Sequence, residues 1–313
     1  MLNDIVTISF FTALLSSAVR MALPLVYAGL GETILEKAGI LNIGMEAVML
    51  SGAFFSFLAA TLSGNLLTGL IGGILGGMLV SAIHGILSIN LAKDQSVSGI
   101  SLNILFLGVT SFLFKLIFGN KSYHQIETLP TIKIPFLSNI PLIGESFFNQ
   151  DILTYIVYIL IIITAVFYKK TSLGLSFAAV GENPKAAEQA GIPVNKFKYI
   201  ALLLNGALGG IGGAYLVLVQ LGVFNENMTS GRGYIALAAV ILGRYSPFGM
   251  FGAAILFGVA NALQIRLQAM GVPLPPQALA MLPYIFTLIA LVGAIGKSND
   301  PEGLSKPYVR GTR

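Results

Sequence analysis

Six polar side chains stand in or beside long apolar runs, where they could bind a solute. Five are uncharged amides and one is a carboxylate. Amides both donate and accept hydrogen bonds, so they suit a neutral polar solute, whereas a proton- or sodium-coupled site usually needs titratable or oxygen-rich groups. The alternative is that each amide only joins two helices through a hydrogen bond. The candidates are Asn42, Glu46, Asn103, Asn205, Gln220 and Asn261.

The sequence carries no recognisable arrangement for catalysis, nucleotide hydrolysis or metal binding. It contains no G-x-x-x-x-G-K-[ST] phosphate loop, so we do not expect it to hydrolyse ATP. The absence of cysteine excludes disulfides and thiol chemistry, and His84 and His124 lie far apart in sequence. The stretch Gly231–Ala236 matches G-x-G-x-x-[GA], but it does not follow a strand of a βαβ unit. We therefore predict neither an enzyme nor a bound cofactor or metal.

The elements that position these side chains are predicted to be membrane helices. Of 313 residues, 55% are hydrophobic and 10% charged, whereas soluble domains average roughly 25% charged residues. The composition predicts an all-α, polytopic membrane helical bundle with interrupted helices, one domain over residues 1–313. The run 234–242 is too short to cross alone, and 31–44 is either a turn or a break within the membrane. We expect about nine spans, at residues 5–30, 45–62, 66–91, 97–118, 151–168, 199–221, 234–242, 248–267 and 278–295.

A basic segment at residues 169–198 separates two of the apolar runs and contains a compact helix signal. Asn183 is a good N-cap, Pro184 suits the first helical position, and Gly191 supplies a left-handed stop. About two turns of helix would not persist alone in water. The segment is therefore either a docking element for a cytoplasmic partner or an ordered loop without one.

The distribution of Lys and Arg predicts the orientation of the chain. Basic residues concentrate in cytoplasmic loops, and the 169–198 segment is the most basic. Placing it inside also places the tail, residues 297–313, inside. The N-terminus and the loop at residues 119–150, which we expect to contain extended pieces, then lie outside. A weak internal similarity joins the lead-ins at residues 44–53 and 231–240, as in transporters with paired interrupted helices.

Three stretches resemble a known family of permeases. They are GLGETILEKAGILNIGMEAVMLSGA at 29–53, IPFLSNIPLIG at 134–144 and TSLGLSFAAVGENPKAAEQAGI at 171–192, with GRGYIALAAVILG at 231–243 as support. Together they resemble the permease subunits of bacterial ABC importers of the ribose/branched-chain-amino-acid superfamily. The nucleoside and simple-sugar branch is the most similar. The resemblance spans nearly the whole chain.

The resemblance implies that the segment's short helix couples the permease to an ATPase subunit. It also implies a bacterial cytoplasmic membrane location, a second and different permease subunit, and an extracellular or periplasmic substrate-binding protein. ATP and Mg would be bound by the ATPase, and no cofactor by this chain. The coupling residues implied by the match are Gly181, Glu182, Asn183, Pro184, Ala186, Ala187 and Gly191.

The leading interpretation is a nucleoside importer permease that works by alternating access. Amides suit a simple sugar such as ribose or galactose equally well, so a sugar is the main alternative substrate. A branched-chain amino acid would need paired charges, which the spans scarcely offer. A stand-alone secondary carrier would transport without an ATPase, and the scarcity of buried charge argues against it. A membrane-embedded enzyme lacks the residues that catalysis requires.

Overall fold

A computed structural model describes residues 8–119, 125–141, 143–271, 275–293 and 300–309. The predicted loop at 119–150 and tail at 297–313 are each described in part, and the outermost predicted span ends, residues 5–7 and 294–295, lie outside the described residues. The helices are α1 (Ile8–Lys37), α2 (Met45–Ser63), α3 (Leu66–Gly85), α4 (Gln95–Phe118), α5 (Ile143–Phe148), α6 (Ile152–Lys170), α7 (Ser172–Glu182), α8 (Pro184–Gln189), α9 (Val194–Tyr215), α10 (Arg232–Leu242), α11 (Pro247–Ala269), α12 (Pro276–Ala280) and α13 (Leu282–Gly293).

The prediction of an all-α polytopic membrane bundle is confirmed, but the number of about nine spans is not. In the described part of the chain, seven helices are long and apolar enough to cross a membrane. Helix α10 has only 11 residues, as its short apolar run predicted. The described length of α13 is 12 residues. The seven spanning helices are α1, α2, α3, α4, α6, α9 and α11, with α3 and α9 extended by π-helical turns at Ile86–Asn90 and Leu216–Leu221.

Capping side chains set the start of several spans. Asn65, Asp94 and Asp151 accept hydrogen bonds from backbone N–H groups in the first turns of α3, α4 and α6. Ser246 does the same for α11, whose first residue is Pro247. These short polar side chains satisfy donors that have no partner within the helix. The span boundaries predicted from hydropathy therefore agree with the observed helices to within a few residues at these positions.

The first span ends later than predicted. Helix α1 continues without interruption through Lys37, so the predicted end near residue 30 is wrong. The predicted end was too early because Glu32 and Glu36 make this stretch polar. Both side chains are in fact fully buried within the protein. The break in regular structure lies instead at residues 38–44, between α1 and α2.

Glycine contacts bring the central helices together. A Cβ added at Gly77 of α3 would lie 2.2 Å from the carbonyl oxygen of Gly206 on α9. One added at Gly213 of α9 would lie 1.8 Å from the carbonyl oxygen of Met49 on α2. Helix backbones can approach so closely only where no side chain intervenes. The glycines at these contacts therefore allow α3, α2 and α9 to pack closely.

The loop that precedes α6 contains short extended pieces, as predicted. Strand β1 (Thr131–Lys133) pairs antiparallel with β2 (Asn149–Asp151), with Ile132 opposite Gln150. An earlier part of the loop packs on the π-helical end of α9, where the backbone N–H of Leu129 donates to the carbonyl of Leu218 at 2.8 Å. This end of α9 is thereby held against the loop.

Candidate functional site

The irregular segment at residues 38–44 is held by polar side chains from three helices. The Glu32 carboxylate accepts from the backbone N–H of Asn42 at 2.8 Å. The Gln95 side-chain oxygen accepts from the N–H of Leu41 at 2.8 Å, and His84 Nε2 lies 3.1 Å from the Leu41 carbonyl oxygen. Non-helical backbone within a membrane protein is stable only where protein or water satisfies its polar groups. His84 is thus a buried hydrogen-bonding residue.

Asn103 of α4 binds the backbone at the end of the irregular segment and in the first turn of α2. Its Oδ1 accepts from the backbone N–H of Ala47 at 2.9 Å, and its Nδ2 donates to the Ile43 carbonyl at 3.0 Å. The same Nδ2 also donates to the hydroxyl of Tyr234 at 2.7 Å. Asn103 therefore caps the start of α2 and joins it to α10.

Asn42 and Asn205 meet in a buried polar cluster. Asn42 Nδ2 donates to Asn205 Oδ1 at 3.0 Å, and Asn205 Nδ2 donates to a Glu32 oxygen at 2.7 Å. The hydroxyl of Ser81 also donates to Asn205 Oδ1, at 3.1 Å. All four side chains are fully buried. None of the four side chains reaches the surface in this conformation. Their hydrogen bonds join α1, α3 and α9 to the irregular segment.

Glu46 connects the two interrupted helices. One of its oxygens accepts from the N–H of Gly231 and the other from that of Gly233, each at 2.7 Å. These donors lie at the N-terminus of α10, where the helix dipole favours a negative charge. Glu46 itself lies in the first turn of α2. The carboxylate thus holds the N-termini of α2 and α10 together.

The meeting point of α2 and α10 lies near the middle of the bundle. A Cβ added at Gly209 would lie 2.8 Å from Met45 Sδ, and Gly209 stands near the centre of the 28-residue span Val194–Leu221. A Cβ added at Gly233 would lie 2.4 Å from the Glu46 backbone nitrogen. The predicted pair of lead-ins therefore come together at mid-depth, which is the arrangement that many transporters use around a substrate site.

The remaining two predicted residues lie elsewhere. Gln220 Nε2 donates at 2.7 Å to the carbonyl oxygen of Arg20. Pro24, four residues after Arg20, has no N–H to donate to that carbonyl, so Gln220 supplies the missing hydrogen bond. Asn261 is half-buried on α11. The six residues thus occupy separate places: Asn42 with Asn205, Glu46 beside Asn103, and Gln220 and Asn261 apart.

Two residues of the central region escaped the sequence analysis. Glu32 was assigned to the connection at residues 31–44, which is more polar and glycine-rich, but it lies within α1. No motif or composition feature marked Tyr234 as functional. Its side chain is 45% exposed, and its hydroxyl accepts a hydrogen bond from Asn103. Only its position after a glycine-rich lead-in could have singled it out.

The short helix predicted in the basic segment is present as α8, with the predicted ends. Asn183 Oδ1 accepts from the backbone N–H of Ala186 at 3.0 Å, and Pro184 occupies the first helical position. Gly191 follows the helix with φ +83°, in the left-handed region that favours glycine. Ala186 is exposed, whereas Ala187 is only 4% exposed. The two alanines therefore face opposite environments.

The end of α7, which leads into α8, packs against the end of α1. A Cβ added at Gly181 would lie 2.2 Å from the Lys37 carbonyl oxygen and 3.0 Å from the Gly39 backbone nitrogen. Any displacement of Gly181 would therefore be passed to α1 through backbone contact.

The chain's described tail packs on the same segment. Gly303 N–H donates to the Gly181 carbonyl at 2.9 Å, and Glu182 accepts from the N–H of Glu302 at 3.2 Å. At the other end of α8, the buried Tyr308 donates its hydroxyl hydrogen to Glu188. The tail thus contacts the chain at both ends of α8.

The sequence profile of one protein family matches residues 14–292. Its description is branched-chain amino acid transport system / permease component. The chain belongs to this permease family. Like the other members, it is a transport subunit rather than an enzyme, and it is a multi-pass membrane protein.

Known relatives match the permease over almost its whole length. It is 37% identical to the guanosine ABC transporter permease protein NupQ of Bacillus subtilis, over 93% of this chain and 95% of NupQ. It is 34% identical to the nucleoside ABC transporter permease protein NupC of Lactococcus lactis, over 92% and 93%. TsgC13 of Haloferax volcanii, named provisionally as a glucose ABC transporter permease protein, is 38% identical over 96% and 99%.

A solved structure shares the fold. PsaBC from Streptococcus pneumoniae, in complex with a Fab, aligns with a TM-score of 0.50 at 16% identity. The alignment covers 93% of the permease and 92% of that chain. At this identity the likeness concerns the arrangement of the helices and nothing further.

Proposed function

We propose that this permease is the membrane-spanning subunit of an ATP-driven importer that moves nucleosides across the bacterial cytoplasmic membrane. The observation that carries the proposal is the likeness to NupQ and NupC over more than nine-tenths of the chain. The alternative substrate is a simple sugar such as ribose or galactose, and the likeness to TsgC13 favours keeping it. Uptake measurements must separate the two.

The polar groups of the central region support a neutral substrate. Amides, a tyrosine hydroxyl and backbone groups surround the meeting point of α2 and α10, and the Glu46 carboxylate is already engaged by two N–H groups. An amino acid would bring an ammonium and a carboxylate, each of which needs an opposite charge in a membrane interior. A nucleoside or a sugar needs only hydrogen bonds.

The proposed assembly contains three further kinds of subunit. An ATPase would bind ATP and Mg and receive α8, with Gly181, Glu182, Asn183, Pro184, Ala186, Ala187 and Gly191 forming the coupling segment. A second, different permease chain would complete the membrane part, and an extracellular or periplasmic binding protein would deliver the substrate. The exposed face of α8, which includes Lys185, Ala186 and Gln189, supports contact with a partner.

The contacts suggest how ATP-driven movement would reach the substrate path. A shift of α8 would push Gly181 against Lys37 and Gly39 at the end of α1. Helix α1 carries Glu32, whose hydrogen bonds to Asn42 and Asn205 connect it with the irregular segment and α9. Rearrangement of these connections would switch the bundle between inward-open and outward-open states, which is alternating access.

The proposed orientation places the tail and α8 in the cytoplasm and the N-terminus outside. Lys169 and Lys170 at the end of α6 support it, because basic residues favour the cytoplasmic side. The loop with β1 and β2 would then face outward. The whole chain forms one transmembrane domain in this proposal.

Purification of the chain from its native membrane in mild detergent tests the assembly. We expect an ATPase, a second permease and a binding protein to accompany it. With the binding protein present, the reconstituted complex should accumulate labelled guanosine only with ATP and Mg. Accumulation of glucose instead would select the sugar alternative. Uptake by the isolated chain in ATP-free liposomes would contradict the importer proposal and indicate a secondary carrier.

Substitution of the two adjacent alanines tests the role of α8. Ala186→Arg places a bulky charge on the exposed face, so we expect loss of ATP-driven uptake with unchanged thermal stability of the chain. Ala187→Arg buries that charge beside Val180 and Tyr308, so we expect a destabilised chain. Ala186→Ser is the matched control. Normal uptake by the Ala186→Arg complex would contradict the coupling assignment.

A further inference from the structure

A strip of exposed polar residues leads from the outer end of α4 to the middle of the bundle. At its upper end, Glu226 forms an ion pair with Lys115 at 3.2 Å, near the last turn of α4. At its lower end, Gly233 touches the backbone of Glu46 at mid-depth. Between them the chain is not helical: Asn227 and Ser230 have φ values of +56° and +46°. The strip comprises Asn225, Glu226, Asn227, Ser230 and Tyr234, all exposed.

Such a strip is incompatible with contact to lipid tails. Irregular backbone and polar side chains occur at membrane depth only where they are buried in protein or line a water-filled passage. Arg232 braces the segment from within, because its guanidinium donates to the carbonyls of Met228 and Thr229 at 2.9 and 3.1 Å. Hydrogen bonds from Arg232 therefore hold the segment in place, and the strip faces either water or another subunit.

Tyr234 is the aromatic group at the inner end of the strip. Its side chain is 45% exposed, and its hydroxyl receives a hydrogen bond from Asn103 Nδ2 at 2.7 Å. Asn103 is itself held by Ile43 and Ala47, so the hydroxyl end of the ring is anchored. A fixed, accessible aromatic face in a polar passage suits a planar, uncharged ring, since bases stack on aromatic side chains with little dependence on sequence.

We propose that this strip is one wall of the substrate path and that the ring of Tyr234 stacks on the base of a nucleoside in transit. Ser230 and Asn227 precede Tyr234 in the strip and are exposed. The Ser230 hydroxyl donates to the Asn227 carbonyl at 3.0 Å, so its oxygen and the Asn227 amide remain to bind the ribose hydroxyls. The inference rests on the proposed nucleoside function and deepens it by naming the residue that receives the base. Tyr234 is a substrate-contacting residue in this proposal, and Asn103 positions it.

Cysteine labelling tests whether the strip lines a path. The natural chain has no cysteine, so single substitutions give clean signals in the assembled complex. We expect a hydrophilic, membrane-impermeant thiol reagent to label Asn227→Cys, Ser230→Cys and Tyr234→Cys, and guanosine to slow labelling at the last. Ile159→Cys, 58% exposed on the apolar face of α6, is the control and should resist the reagent. Unlabelled strip positions would mean that the strip is covered by another subunit, which overturns the proposal.

Substitution of the ring tests stacking. We expect Tyr234→Ala to lower guanosine uptake at least about fivefold, whereas Tyr234→Phe, which keeps the ring, should stay within about twofold. Phe112→Ala, which removes an exposed aromatic side chain of α4 outside the strip, should leave uptake unchanged. Equal losses in the alanine and phenylalanine variants, or normal uptake by the alanine variant, would overturn stacking. Wild-type complex that carries only glucose would overturn the nucleoside function instead, and labelling of the strip would still report whether it lines a path.

Discussion

The carboxylate of Glu46 lies 2.7 Å from the backbone nitrogen of Gly233, although 187 residues separate them in the chain. The contact joins the first turn of α2 to the first turn of α10, two helices that both begin inside the bundle. The absence of a side chain at Gly233 permits it, since an added Cβ would lie 2.6 Å from the Glu46 Cα. The contact therefore fixes the starts of α2 and α10 against each other.

Replacement of Glu46 by Gln should weaken this connection. The amide keeps one accepting oxygen but loses the charge that attracts the start of α10, so we expect a loss of about 1–3 kcal/mol in the free energy of unfolding. Thermal unfolding of the detergent-solubilised chain, followed by circular dichroism, measures the effect. Glu145→Gln, at an exposed position, is the matched control. Equal melting temperatures for the two variants would contradict the structural role of Glu46.

Alanine at Gly77 should disrupt the packing of α3 on α9. The added Cβ would meet the Gly206 carbonyl oxygen at 2.2 Å, so the helices must separate, and we expect a lower melting temperature and less folded protein in the membrane. Gly252→Ala is the control, because no atom lies within 4 Å of its added Cβ and alanine favours helix. If both variants melted like the unaltered chain, the close approach of α3 and α9 would be refuted.

Replacement of Asn205 by Leu should damage the buried polar cluster. The Glu32 oxygen that accepts at 2.7 Å and the Asn42 amide would both lose their partner, at a cost of about 1–2 kcal/mol. Melting temperature reports the loss, and uptake should fall with it because Glu32 links α1 to the irregular segment. Asn261→Leu, on the half-buried face of α11, serves for comparison. A variant as stable and active as the unaltered chain would show that the cluster contributes nothing.

The sequence by itself determined the class of molecule and most of the helices. Hydropathy is a local property, so the runs that became α2, α3, α4, α6 and α11 were predicted within a few residues. The capped helix α8 was also predicted, because Asn183, Pro184 and Gly191 act on neighbouring backbone groups. The likeness of the two lead-ins, at Gly44 and Gly231, was visible as a pattern.

Only the tertiary structure decided what the polar residues contact. Glu32 looked like the start of a connection, because a carboxylate is unfavourable in a span unless partners surround it, and those partners come from residues 42 and 205. Gln220 gained its role from a carbonyl freed by Pro24. Each of these interactions joins positions far apart in sequence, so no local pattern could specify it. Hydropathy depends on neighbouring residues and therefore predicts helices, whereas these hydrogen bonds depend on how the helices pack.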